Sequence, residues 1–99
     1  MSNTYQMHGI VSDVKAPWIG RTGKPRRDLV IEQEIPGDPP RRQFVRFGFS
    51  GELVGLLDNL QILDRVVVTF GISCRPVVGR DSIPRHHVHL YGLDVRPES

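Results

Sequence analysis

The chain has 99 residues, 38% of them apolar and 24% charged, and a net charge of +2. That suffices for one domain with one core and not for two; no apolar run approaches the roughly twenty residues of a membrane span, and Met-Ser-Asn-Thr-Tyr-Gln lacks the basic and apolar regions of a signal peptide. The one cysteine excludes an internal disulfide framework and points to a reducing, cytoplasmic setting.

Tyr5 to Val14 reads as the first strand, although neither of its alternating faces is purely apolar, which suits a strand that curves. Lys15 to Arg27 reads as a flexible loop. Pro17, Gly20, Gly23 and Pro25 break regular structure, and Lys15, Arg21, Lys24, Arg26 and Arg27 are accompanied by no acid. Trp18 lies in the same stretch. An aromatic among cations suits single-stranded nucleic acid, the ring stacking on a base while the cations follow phosphates; the alternative is that Trp18 folds back onto the core. Eleven of the thirteen basic residues of the chain are Arg, which favours phosphate and base contacts but is equally produced by GC-rich coding.

Asp28 to Ile35 is the second strand, with Leu29 and Ile31 on one face and Val30, Glu32 and Glu34 on the other. Three prolines and a glycine between Ile35 and Arg41 force a reversal. Gln43 to Phe49 is the third strand, with Val45, Phe47 and Phe49 on the core face and Phe44 and Arg46 on the other. Arg41, Arg42 and Arg46 extend the positive surface of the first loop, with Glu32 and Glu34 placed to neutralise part of it across the pair. Ser50 is an N-cap residue type before a short amphipathic helix in Gly51–Leu60.

Arg65 to Arg75 alternates again, with Val66, Val68, Phe70, Ile72 and Cys74 on one side, so Cys74 is expected in the core and inert. A second turn region runs from Pro76 to Pro84, with Arg75 and Arg80 as further candidate phosphate contacts. His86 to Arg96 is the last strand, with Tyr91 sharing a face with Leu93 and Val95 as core or interface. The end at 97–99 is expected to fray.

Five short strands, with one helix between the third and fourth, match the order of an all-β, five-stranded OB-fold barrel spanning residues 1–99 as a single domain. An open sheet of this size would leave long apolar edges unpaired. The fold usually binds across its second and third strands, flanked by the loop after strand one and the loop after strand four. In this chain both of those loops are rich in Arg.

The run Thr22-Gly-Lys-Pro-Arg-Arg-Asp-Leu-Val-Ile-Glu32, followed by Phe47, Leu56-Leu-Asp58, Asp64-Arg-Val-Val-Val-Thr-Phe70 and Gly79-Arg80, resembles a family of small bacterial and phage proteins. Their function is unknown, and they are considered OB-fold proteins similar to single-stranded-DNA-binding proteins. The spaced motifs agree in order over most of residues 20–96. The resemblance implies nucleic-acid binding, in replication, recombination or repair, and a homodimer.

Chemistry has weaker support. His86, His87 and His89, with His8, could in principle gather around a metal, but no Cys or carboxylate completes a ligand spacing, and a polar strand face is the plainer reading. Glu32 and Glu34 read as a solvated strand surface. No catalytic residue and no cofactor are expected. The candidate contacts are Trp18, Arg21, Lys24, Arg26, Arg27, Arg41, Arg42, Phe44, Arg46, Arg75 and Arg80, and the expected partner is single-stranded DNA, with RNA open. The rival expectation is an assembly module whose face of Phe44, Val30 and Val67 buries against a partner protein.

Overall fold

A computed structural model describes residues 3–78, 80 and 84–98, and of Arg75, Val77 and Pro84 the backbone alone. The elements in chain order are β1 (Tyr5–Val14), β2 (Trp18–Ile19), β3 (Pro25–Ile35), β4 (Arg41–Ser50), a 3-10 helix (Gly51–Leu57), β5 (Arg65–Val78) and β6 (Pro84–Pro97). Hydrogen-bonded neighbours follow the order β1-β5-β6-β4-β3, and β3 pairs back to β1, which closes the sheet into a five-stranded barrel. All of these pairings are antiparallel except the closure of β4 on β6, parallel at Gly48 and Tyr91. This is the OB arrangement expected from the strand order, and closure removes the sheet edges within the barrel.

Closure requires strands that bend. β1 pairs with β5 from Tyr5 to Ile10 and with β3 from Ile10 to Val14. The register to β3 slips between Val11 and Asp13, leaving Ser12 as an extra residue. Such a bulge bends a strand and reverses the parity of its side chains. That is why Val11 and Val14, three positions apart, both turn inward, and why the sequence of β1 shows no clean apolar face. Gly9 sits where the strand changes partners. A Cβ there would come within 2.7 Å of Ile31 Cδ1 and 3.1 Å of the Glu32 carbonyl oxygen, so only glycine permits the approach.

The core is filled by Leu29 and Ile31 from β3, Phe47 and Phe49 from β4, Val66, Val68 and Phe70 from β5, and Val11 and Val95. The rings of Phe47 and Phe70 meet in a tilted pair with centroids 4.9 Å apart. Leu57 is fully buried at one end of the barrel, with Leu53 and Leu60 packed against the same core. The helix that carries Leu57 is a 3-10 helix ending there, not an α-helix running to Leu60. Two glycines in seven residues weaken an α-helix this short. Ser50 makes no side-chain cap; it is the extended last residue of β4 (φ −141°, ψ 159°), and Gly51 at φ 63° makes the corner.

Two further stretches differ in secondary structure from the expectation. The stretch 15–27 holds a short hairpin, because Trp18 and Ile19 pair with Arg26 and Pro25, so that Pro25, Arg26 and Arg27 belong to β3. At the other end, Pro97 is still in β6 and the Glu98 N–H donates to the Arg65 carbonyl at 2.9 Å, so the chain is tied down through residue 98; Ser99 lies outside the described residues.

β5 and β6 have 14 residues each, about 46 Å of strand at 3.3 Å per residue, which is more than the barrel uses. Beyond Gly71 and Gly92 they continue as a two-stranded ribbon. The apolar parity of β5 runs into this ribbon unchanged, so Ile72 is 48% exposed and Cys74 is exposed rather than in the core. The alternation is present as expected; the barrel ends before it does. In β6, Thr69 opposes Asp94 while Phe70 opposes Gly92, so Leu93 is an extra residue. This bulge again reverses parity. Val95, Gly92 and Leu90 face the core side, and Tyr91 is turned to the outer face instead of joining Val95.

Candidate nucleic-acid interface

The outer face of the β3–β4 pair is set by an unbroken register from Arg26↔Ser50 to Ile35↔Arg41. Alternation places Arg26, Asp28, Val30, Glu32 and Glu34 on β3 beside Arg42, Phe44, Arg46, Gly48 and Ser50 on β4. Phe44 stands out from this face, 63% exposed. The arginines around it are already engaged. Arg46 Nε lies 2.8 Å from Asp28 Oδ2, and Arg42 Nε lies 3.2 Å from Glu32 Oε1. Glu34 is directly opposite Arg42. Three guanidiniums thus share the face with three carboxylates, and the middle of it carries little net charge.

The cationic excess lies at the hairpin. Arg21, Lys24 and Arg26 are exposed, and Arg26 lies over the Trp18 ring, 5.8 Å from its centroid. The hairpin is held by the Gly20 N–H donating to the Lys24 carbonyl (2.9 Å) and by Gly23 at φ 80°, a left-handed turn position that suits glycine. Arg41 is exposed at the far end of β4 and Arg80 is exposed in the turn beyond β5, while Arg75 is opposite His87 in the ribbon with its side chain outside the described residues.

Lys15 and Arg27 are committed elsewhere. Lys15 Nζ is 2.6 Å from Asp13 Oδ2, and this hydrogen bond holds the Asp13 carboxyl below its ordinary pKa. Arg27 donates from Nε to the Lys15 carbonyl and from Nη1 to Asp58 Oδ1, both at 2.8 Å, and its side chain is only 18% exposed. It ties the hairpin's base to the end of the 3-10 helix. Arg27→Ala is therefore expected to lower stability by about 1–2 kcal/mol in urea unfolding, since two charge-assisted bonds are lost but Asp58 stays solvated.

Trp18, half exposed, forms one wall of a cleft of about 420 Å³ together with Arg26. Asp28, Gly48 and Ser50 line it from β3 and β4. The opposite wall is the outer face of the ribbon: Ser73 from β5, and His87, His89 and Tyr91 from β6. The rings of His89 and Tyr91 stack with centroids 6.5 Å apart at 28°. Gly48 is where β4 meets β6, and a Cβ there would lie 2.9 Å from His89 Cε1, so its absence lets the imidazole approach the sheet.

Of the residues expected at an interface, the fold brings Trp18 and Arg26 to this cleft, and the hairpin carries Arg21 and Lys24 with them. Phe44, Arg42 and Arg46 lie on the same sheet face as its β4 lining but do not line it. Asp28 and Tyr91 were not expected there, and His87 and His89 only as a polar strand face near a nucleic-acid backbone. Alternation put His87, His89 and Tyr91 on one strand face together with Val95; the bulge at Leu93 hid that the face turns over there, so that Val95 joins the core and Tyr91 does not.

No protein-family model and no curated protein matches the chain. Among the described residues, no helix is long and apolar enough to cross a membrane.

Proposed function

We propose that the protein binds single-stranded nucleic acid, DNA in the first place, with the cleft between hairpin and ribbon as the seat for a base and the hairpin cations as phosphate contacts. The observation that carries this reading is the cleft itself. It has an exposed indole with Arg26 on one wall and a stacked imidazole–phenol pair on the other, and Arg21 and Lys24 are exposed on the hairpin that carries the indole. Flat rings on opposing walls accept any nucleobase by its π-face, and a rim of guanidinium and ammonium groups meets the phosphates on either side. The cleft lies over the strands and between the two connections through which OB barrels commonly bind, and the motif resemblance over residues 20–96 points the same way. Work in replication, recombination or repair follows from that resemblance.

Trp18 supplies stacking, Arg21, Lys24 and Arg26 supply the cations beside it, and Arg41 and Arg80 are exposed farther away, at the far end of β4 and in the turn beyond β5. Phe44 is a second stacking platform farther along β4. Fluorescence anisotropy of labelled 20-mers tests the reading, with single-stranded DNA and RNA in parallel and duplex as control, at two salt concentrations. Micromolar or tighter binding to single strands that weakens steeply with salt is the expected result; no binding at low salt would sink it. Trp18→Ala should weaken single-strand binding by about 1–3 kcal/mol, and in the unmodified protein the intrinsic tryptophan fluorescence should be quenched on binding.

A second reading, a protein-assembly module, is favoured by a different observation. One face of the ribbon exposes Ile72, Cys74, Val78 and Val88 together, and Phe44 stands out from the barrel. A homodimer through either surface is compatible with strand binding at the cleft. Sedimentation of Val88→Asp and Phe44→Ala variants against the unmodified chain tests each surface in turn.

A further inference from the structure

Asp28 is hard to reconcile with a site that only grips phosphates. Among the described residues it is the one carboxylate that lines the cleft, placed on the sheet directly opposite Gly48 and 22% exposed. A phosphate drawn to that position would meet a carboxylate oxygen, which offers it no hydrogen-bond donor. Arg46 offsets much of the carboxylate's charge through its Nε, 2.8 Å from Oδ2, but it stands outside the lining and engages the other oxygen, so Oδ1 is the one turned to the cleft. Oδ1 lies 3.6 Å from where a Gly48 Cβ would stand, over the bare backbone left by the glycine. The cleft is thus divided, with cations at the rim, rings on the walls and a hydrogen-bond acceptor on the floor.

We infer that Asp28 reads the edge of the base seated in the cleft and selects bases that carry an exocyclic amine, cytosine over thymine among the pyrimidines. The inference rests on the proposed strand binding and adds selectivity to it. A carboxylate accepts hydrogen bonds and donates none. Cytosine offers its N4 amino group to such an acceptor, in the way carboxylate side chains accept from cytosine N4 in duplex recognition. Adenine offers N6 and guanine offers N1 and N2. Thymine and uracil offer a single N3–H flanked by two carbonyl oxygens, which face the carboxylate with like partial charge. Entry edge-first also leaves the phosphates outside, towards Arg21 and Lys24 on the hairpin that carries Arg26.

The experiment compares (dC)12 with (dT)12 at pH 7.5 and low salt by anisotropy, with the ratio of the two dissociation constants as readout. The ratio cancels effects that fall on any strand alike, such as the release of Arg46 when Asp28 is removed. The unmodified protein is expected to favour (dC)12 by about fivefold or more, the size of one base-edge contact. Asp28→Ala should bring the ratio to about one. Asp28→Asn, whose amide both donates and accepts, should fall between the two. A measurement on the ligand side needs no variant: (dC)12 dimethylated at N4, which has lost its donors, should bind no better than (dT)12. Equal or tighter binding of (dT)12 by the unmodified protein, or a ratio untouched by Asp28→Ala and by N4 dimethylation, would overturn the inference and leave strand binding standing. Failure to bind any of the three oligonucleotides would overturn strand binding itself, and the inference with it.

Discussion

Replacing Gly92 with alanine is expected to cost about 2 kcal/mol, and with valine about 3 kcal/mol or more, although a β-branched residue ordinarily strengthens a strand. The reason is the ring of Phe49. Three of its atoms, Cζ, Cε1 and Cε2, occupy the space that a Cβ at position 92 would need. Phe49 is fully buried in a close-packed core, so the strain falls on the barrel where β6 passes the end of β4. By the usual scaling a 2 kcal/mol loss lowers the melting temperature of a domain this size by roughly 10 °C. Gly55 is the control. It is exposed in the 3-10 helix with only Asp58 Oδ2 near its missing Cβ, at 3.9 Å, so Gly55→Ala should be neutral or slightly stabilising. A double-mutant cycle isolates the contact: Phe49→Leu combined with Gly92→Ala should cost at least about 1 kcal/mol less than the two changes added. Additive costs would mean that the ring and the glycine are not in conflict, and that position 92 is sensitive for some other reason.

Phe49 and Gly92 also mark what could and could not be read from the chain. The two-residue period of Val45, Phe47 and Phe49, and of Val66, Val68 and Phe70, placed the core, because in a small barrel every inward position is buried and the pattern has no other cause. The order of five strands with a helical segment before the fourth then left few closed arrangements. Bulges were not legible. Ser12 and Leu93 are ordinary residues in ordinary strands, and only pairing to a partner reveals that one side has an extra residue. A single missed bulge puts every later side chain on the wrong face, and Tyr91 moved from core to cleft for this reason. The reach of the ribbon was equally hidden. Alternation says which residues share a face but not where the covering layer stops, so Cys74 kept its register and lost its burial. For the candidate site, unbalanced charge in Lys15–Arg27 marked the segment that carries Trp18 and Arg26 to the cleft. It could not show that Arg27 turns down to Asp58, or that Arg42 and Arg46 are matched by Glu32 and Asp28, because a long side chain chooses among partners brought near by the sheet.

That redistribution decides which cations should govern strand binding. Arg21, Lys24 and Arg26 are exposed on the hairpin beside the cleft, and among the described residues Arg26 lies over the Trp18 ring. The triple change of these three to alanine is expected to weaken binding of a single-stranded 20-mer by about 100-fold at roughly 50 mM salt, with the two proteins converging towards 1 M. The convergence follows from counterion release. Each phosphate neutralised on a single strand contributes about 0.7 to the slope of log affinity against log salt, so three lost contacts reduce that slope by about 2. Arg27→Ala, by contrast, should leave the slope nearly unchanged, since that guanidinium already answers to Asp58 and the Lys15 carbonyl. Stability separates charge from folding: the triple variant should unfold within about 0.5 kcal/mol of the unmodified protein, as exposed hairpin side chains do, whereas Arg27→Ala should not. An unchanged slope in the triple variant would move the phosphate path off the hairpin, towards Arg41 and Arg80. A slope that falls by about 2 while Trp18 quenching is lost as well would put base and backbone on the same hairpin, with the phosphates passing along the rim of the cleft in which the base is held.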